Sequence, residues 1–253
     1  MDYLYDGTFE GLLTCIHHHY YTAKATGIYT KESYQMNLLG DFLEVETDEA
    51  KASIVYDAME EKISHFAVRC MYKTFLSNVA DKEMKILRFA VMGFRTGPKF
   101  TYMHGNDIVI AIETAVRQVG NEAERMRQFV RFSQMDGGVL YGEIEPEHDV
   151  LELLPSHFCD RFKNEPFIIR DVGRNKAIVA LKGQWYITDF GEGDMPDYST
   201  DEVGYRRLWK KYFDHIAIKE RINPRCQAGH VPLKYRKHLV EFQLQTDDFE
   251  RTI

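Results

Sequence analysis

Apolar positions along this chain follow two different periods, and the change falls near residue 138. Before it they recur every three or four residues. Ala52, Val55, Met59 and Ile63 predict a helix with Thr47 as its cap. Ser64 is placed to cap the next, which carries Phe66, Val68, Met71, Tyr72 and Phe75. Another spans 83–94 and stops at the Gly97-Pro98 breaker. Asn106-Asp107 opens a long helix through Ile108, Ile112, Ala115, Val116 and Val119, which Gly120 is expected to interrupt before the pattern resumes over 121–134. Ahead of these helices, residues 2–5 predict a strand closed by the Asp6-Gly7 turn. Thr8 then caps a helix through Leu12, Leu13, Ile16 and Tyr20. Residues 24–40 show no period and are expected to be a loop, followed by an edge strand at Phe42 and Val45.

From 138 the period becomes two. Residues 139–145 alternate like a half-buried strand, and a short helix is expected at 151–162. The runs 167–172, 176–181 and 184–189, with tight turns between them, predict an antiparallel meander. Thr200 caps a last helical region at 201–218, and Pro224 and Pro232 divide the rest of the chain into short pieces. Strands and helices are segregated, so the expected class is α+β: a mostly helical N-terminal half, a β meander in the C-terminal half and a helical C-terminus. One domain over 1–253 is expected, with a helical subdomain at 47–134.

Composition narrows the function classes. The start, Met-Asp-Tyr-Leu-Tyr-Asp, is acidic where a signal peptide is basic, and no run of about 18 apolar residues occurs. These features predict a cytoplasmic protein with no membrane contact. Cys15, Cys70, Cys159 and Cys226 lie 55, 89 and 67 residues apart, without the short Cys-x-x-Cys spacing of a metal site. Reduced thiols are expected, with no metal and no cofactor. His17-His18-His19 does not alter this, because adjacent residues on a helix point about 100° apart. Net charge is −7, yet residues 205–238 hold ten Lys or Arg against Asp214 and Glu220. That segment is +8 and the remainder −15, an asymmetry that suits a polyanionic partner.

Two segments could carry chemistry. On a helix over 121–134, Met126, Phe129 and Val130 share one face while Glu124, Arg127 and Arg131 line another, with Arg125 at the border. On physics alone the expected reading is an amphipathic helix with a solvated charged face. In 153–162, His157 and Arg161 lie one turn apart, as do Phe158 and Phe162. That His–Arg pair suits phosphate binding or acid–base work, and a hydrogen-bonded structural histidine fits equally.

Several blocks resemble a bacterial family of DNA metabolism or DNA repair proteins. They are Gly120 through Phe132, Leu140-Tyr141-Gly142-Glu143-Ile144-Glu145-Pro146, Asp149 through Phe162, and Phe167 through Asn175. Tyr5-Asp6-Gly7-Thr8-Phe9-Glu10-Gly11 is similar to the family's opening. Arg221 through Gln227 and Pro232-Leu233-Lys234-Tyr235-Arg236 are similar to its close. The resemblance implies a radical S-adenosylmethionine protein as partner, and a domain that is fused in some bacteria to a uracil-DNA glycosylase. It assigns no reaction to the domain. Many relatives have His-Arg-Met where this chain has Glu124-Arg125-Met126, which makes Arg125, His157 and Arg161 the better candidates for a shared polar site.

Three functions are consistent with these features. The first is a nucleic-acid-associated accessory protein that works with the radical S-adenosylmethionine partner. It would hold DNA through Arg206, Arg207, Lys210, Lys211, Arg221, Arg225, Lys234 and Arg236, with Tyr205, Trp209, Tyr212, Phe213 and Tyr235 interleaved for stacking. The spacing of Leu208, Trp209, Tyr212 and Phe213 also fits aromatics packed inward on a basic helix. The second is an enzyme acting on a damaged base or nucleotide through Arg125, His157, Arg161, Asp171 and Arg174. The third is an interaction scaffold without DNA affinity. Dinucleotide, P-loop, zincin and nucleophile-elbow motifs are absent, as is the Cys-x-x-x-Cys-x-x-Cys of radical enzymes.

Overall fold

The computed structural model describes residues 1–35, 41–195, 197–216 and 223–243, the side chains of 203 and 214 excepted. It divides into two units, Met1–Asn121 and Glu122–Ile253. The helical stretch expected at 47–134 runs across that boundary, which falls inside a single helix.

In the first unit, strand β1 (Asp2–Tyr5) leads into helix α1 (Phe9–Tyr21) and on to β2 (Gly27–Thr30) and β3 (Phe42–Glu44). Both outer strands pair parallel to β1, in the order β2-β1-β3. Parallel neighbours need a crossover, and α1 supplies it between β1 and β2. Residues 27–30 are therefore a strand where the sequence predicts a loop. Four residues are too few to show an alternation, and the strand is held by its pairing to β1 and by Ile28, only 2% exposed.

The β1–α1 turn is built from side chains. Asp6 accepts hydrogen bonds from the Thr8 amide (3.0 Å) and hydroxyl (2.7 Å) at Oδ1, and from the Thr47 hydroxyl (2.8 Å) at Oδ2. Burial acts to raise the Asp6 pKa, but these hydrogen bonds outweigh it and hold the carboxyl below its usual range. Gly7 takes φ +83°, a conformation that favours glycine. A Cβ on Gly11 would press on the Asp6 carboxylate and lie 2.8 Å from Thr47 Oγ1. Because Thr47 is committed to Asp6, the cap of α2 (Glu49–Lys62) is Asp48, which accepts from the Lys51 amide at 3.1 Å. This corrects the expected Thr47 cap by one residue.

Helices α3 (His65–Phe75) and α4 (Lys82–Thr96) occur where the spacing predicts them, α3 with Ser64 as its cap. Helix α5 (Asp107–Phe129) opens at Asn106, whose side chain accepts from the Ile108 amide. It then passes through Gly120 without the expected break. A helical glycine costs about 1 kcal/mol relative to alanine, which flanking burial of Val119, Ala123 and Met126 offsets. The core of this unit lies between the sheet and the helices, with Tyr3, Leu12, Ile16, Met71, Ile86 and Phe100 fully buried.

The second unit is built on a five-stranded sheet: β4 (Phe132–Gln134), β5 (Leu140–Ile144), β6 (Phe167–Asp171), β7 (Lys176–Leu181) and β8 (Gln184–Asp189), paired in that order. The meander β6-β7-β8 is antiparallel as expected. Lys182 and Gly183 close its second hairpin with positive φ at both positions, the geometry a two-residue turn requires. Strand β5 instead runs parallel to β6, and the crossover between them carries α6 (Pro155–Phe162). Residues 132–134 pair with β5, so the helix expected over 121–134 stops at Phe129. Phe132, Phe158, Phe162 and Phe167 pack as one aromatic cluster against the sheet. Helices α7 (Glu202–Ile216), α8 (Pro224–His230) and α9 (Val240–Gln243), with a 3-10 segment at Leu233–His238, complete the unit. Helix followed by meander followed by helix makes the class α+β.

Candidate functional site

Four carboxylates hold the 3-10 segment in place. Glu122, 4% exposed, accepts from the amides of Glu147 (3.0 Å) and His148 (2.7 Å) and from the Tyr235 hydroxyl (2.6 Å). Lys234 bonds Glu147 at 2.7 Å, and Lys237 pairs with Glu145. His238 lies between Glu145 (3.1 Å from Nε2) and Glu143 (3.5 Å from Nδ1). Glu143 also accepts from the Tyr141 hydroxyl at 2.8 Å and faces buried Arg170 at 3.6 Å. Its hydrogen bond to His238 holds its carboxyl below the usual range, and Lys237 does the same for Glu145. This clamp joins the blocks 120–132, 140–146 and 232–236. The adjoining cavity, lined by Met126, Phe129, Glu143 and Tyr235 among others, has a volume of only about 10 Å³.

Of the five polar candidates for catalysis, the structure pairs Asp171 with Arg174. Asp171 is fully buried and pairs with Arg174 at 2.9 Å. Burial nevertheless holds its carboxyl above the usual range against the pull of that guanidinium. Arg174 also donates to the carbonyls of Pro146 (3.1 Å) and Glu147 (2.8 Å), so it fastens the 146–149 loop to the β6–β7 turn. Arg125 is exposed on α5 and acts on Glu147 through its charge. His157 and Arg161 are exposed on α6, where His157 meets the edge of Phe158 and Arg161 lies over the Phe162 ring. Glu124 is exposed and pairs with Arg127, which donates to the Leu153 carbonyl at 2.6 Å.

The described cations of the basic segment differ in exposure. Arg206, Lys234 and Arg236 are committed inside the unit. Arg206 donates to Glu202 (3.0 Å) and Ser133 (2.6 Å) and lies 4.5 Å over Tyr198. Lys234 belongs to the clamp. Arg236 donates to the Val231 carbonyl and stacks on Phe242 at 4.6 Å. Arg207, Lys211 and Arg225 are exposed, and Lys210 is half-buried over Phe213 at 5.9 Å. Arg221 lies outside the described residues.

On α7 the aromatics do not turn inward as a group. Phe213 does, against Phe242, but Tyr205 (61% exposed), Leu208 (64%), Trp209 (41%) and Tyr212 (54%) form an outward stripe. Their spacing of i, i+3, i+4 and i+7 puts them on one face. Beside them opens a groove of about 690 Å³, walled by Arg131, Phe132, Arg206 and Val240 as well. Both of its arginines are held by buried carboxylates. Glu241, 4% exposed, binds Arg131 at 2.8 Å and accepts from the Trp209 indole N–H at 3.2 Å, while Glu202 holds Arg206. The aromatic spacing in the sequence marks Tyr205, Trp209 and Tyr212. The spacing of four between Glu202 and Arg206 is a local signal of their pair, whereas nothing local marks Glu241, whose partner Arg131 lies 110 residues away.

Among the described residues, no helix is long and apolar enough to cross a membrane. The three N-terminal histidines have separate local roles: His17 stacks on Tyr21, His18 bonds Thr22 and His19 accepts from the Ala25 amide. No curated protein and no solved structure matches the chain. A family model described as a domain of unknown function, DUF4130, matches residues 80–241, more than half of the 253. That span takes in the carboxylate clamp, α6 and the α7 groove, and on its extent the chain belongs to the DUF4130 family.

Proposed function

We propose that the chain is a nucleic-acid-associated accessory protein of DNA metabolism or repair, acting in the cytoplasm beside a radical S-adenosylmethionine partner. The observation that carries this reading is the outward aromatic stripe of α7, set on a helix that also presents Arg207 and Lys211 to solvent. Cations bind phosphates with release of counterions, and exposed aromatic faces stack on bases. The committed arginines and Lys234 build the surface rather than touch the ligand.

Fluorescence anisotropy of labelled DNA against salt concentration tests the nucleic-acid part. Affinity should fall as salt rises, and Arg207→Glu with Lys211→Glu should flatten that slope. Absence of binding at low salt, with the partner still captured, would favour a scaffold instead. Pull-down of the native protein, analysed for protein and nucleic acid together, tests the partner.

A further inference from the structure

We infer that the α7 groove is a receptor for the unpaired nucleobases of a single strand, with the phosphates running along the neighbouring cationic face of the helix. This rests on the nucleic-acid reading above and adds the class of strand to it.

The first argument is charge. The groove's two cations, Arg131 and Arg206, are each matched by a buried carboxylate, Glu241 and Glu202. A phosphate gains little there, whereas a flat and neutral ring gains stacking and burial. The second is angular position. At 100° per residue, with Tyr205 at 0°, Trp209 falls at about 40°, Tyr212 at 340° and Leu208 at 300°. Lys211 and Arg207 fall at about 240° and 200°, the strip adjacent to Leu208. A strand lying along α7 can set its backbone on that strip and turn its bases over Leu208 into the aromatic stripe. A duplex has its bases already stacked and paired, and cannot offer their faces to the groove.

The third argument is preorganisation. Trp209 is tethered by its indole N–H to Glu241, which is itself locked by Arg131. The ring is thus fixed before a base arrives, and little side-chain entropy remains to be lost on binding. Glu241 is a positioning residue: it touches Trp209, not the ligand. Tyr212 packs beside Trp209, with centroids 5.7 Å apart and planes 33° from parallel, and extends the platform.

The test uses the full chain and three labelled probes: two single strands of about 12 nucleotides with equal phosphate number, within the usual site sizes for single-strand binders, and a duplex of about 12 base pairs, whose extra phosphates favour it on charge alone. One is a thymidine strand, one carries abasic sites throughout its middle, and one is a blunt duplex. Anisotropy at low salt should give the plain strand at least about tenfold tighter binding than either competitor. A uridine strand should bind like the thymidine strand, because the base face is what the groove takes. Tyr212→Ala, a change at an exposed position, should cost about tenfold on the plain strand and nothing on the abasic one. Glu241→Gln should weaken binding to the plain strand, with the near-ultraviolet circular dichroism of Trp209 altered. Lys211→Glu should weaken all three alike. Equal affinity for plain and abasic strands would overturn the base-receptor inference and leave nucleic-acid binding standing. Failure of every oligonucleotide to bind would overturn the reading beneath it.

Discussion

Removing the Glu122 carboxylate should unfasten the C-terminal part of the second unit, and the cost can be worked out bond by bond. In Glu122→Ala the Tyr235 hydroxyl and the amides of Glu147 and His148 lose their acceptor. A hydrogen bond to a charged group contributes about 1.5–3 kcal/mol, and a buried donor left without one costs about 1–3 kcal/mol. The Glu147 side chain is 58% exposed, so water can serve its amide and that loss is small. His148 and Tyr235 are 7% and 4% exposed, and theirs are nearly full. A total of about 3–5 kcal/mol results, enough to lower the melting temperature by roughly 10 °C. Urea unfolding at constant slope measures it. Tyr235→Phe alone should cost about 1 kcal/mol, whereas in the Glu122→Ala background it should recover about 1 kcal/mol or more, since it removes a buried hydroxyl whose acceptor has gone. A loss under about 1 kcal/mol for Glu122→Ala, or equal effects of Tyr235→Phe in both backgrounds, would refute the clamp.

Three further outcomes are expected. Burial lowers the His238 pKa, but hydrogen bonds to Glu143 and Glu145 outweigh it, so the folded value is raised despite the opposing charge of Lys237. That stabilisation is full below the unfolded value of about 6.5 and is lost as pH rises through the raised one. Glu143 and Glu145, held low, act in the opposite sense and lose theirs as pH falls through the acid range. A plot of melting temperature against pH should therefore decline on the alkaline side, and a decline that persisted in His238→Gln would assign it to another group. Gly7→Ala forces a Cβ into φ +83° and should cost about 1–2 kcal/mol, against no loss for Gly105→Ala, where space is open. Burial pushes the Cys15 and Cys70 thiols up to about 12 and about 11, so both should resist thiol reagents at pH 8 until urea unfolds the chain. Exposed Cys226 should give the fast phase, and Cys226→Ser should abolish it.

Elements fixed by their own side chains were legible in the sequence. Thr8 and Ser64 cap α1 and α3 because each hydroxyl reaches an amide three residues on. The Lys182-Gly183 turn needs nothing from outside its hairpin. The features that could not be read depend on distant partners. Thr47 has the chemistry of a cap but is drawn to Asp6, 41 residues back. Strand β2 exists through its parallel neighbour. Residues 132–134 leave the helical pattern because β5 offers them a ladder. The candidate groove was half legible: the aromatic spacing showed on one helix, whereas its outward direction is set by Phe213 filling the inward position against Phe242.

The blocks that carry the family resemblance mostly do mechanical work, and this changes where function is to be sought. Glu122 holds Tyr235, Lys234 holds Glu147, His238 lies between Glu143 and Glu145, and Asp171 holds Arg174, so these charges are matched before any ligand arrives. Leaving buried Glu122 or Asp171 without its partner costs about 3–5 kcal/mol, whereas the half-exposed pair of Lys234 with Glu147 contributes at most about 1 kcal/mol. Glu124 lies exposed beside Arg127, so exchanging it changes a surface ion pair worth at most about 1 kcal/mol. Arg131 is the exception. It belongs to the first of these blocks, yet through Glu241 it fixes Trp209 at the rim of the groove. Clamp variants should therefore lose stability and keep strand affinity in the folded fraction, and Tyr212 variants should do the reverse. Arg131→Ala alone should lose both, because it removes a partner of a buried carboxylate and the anchor of the stacking platform in one step.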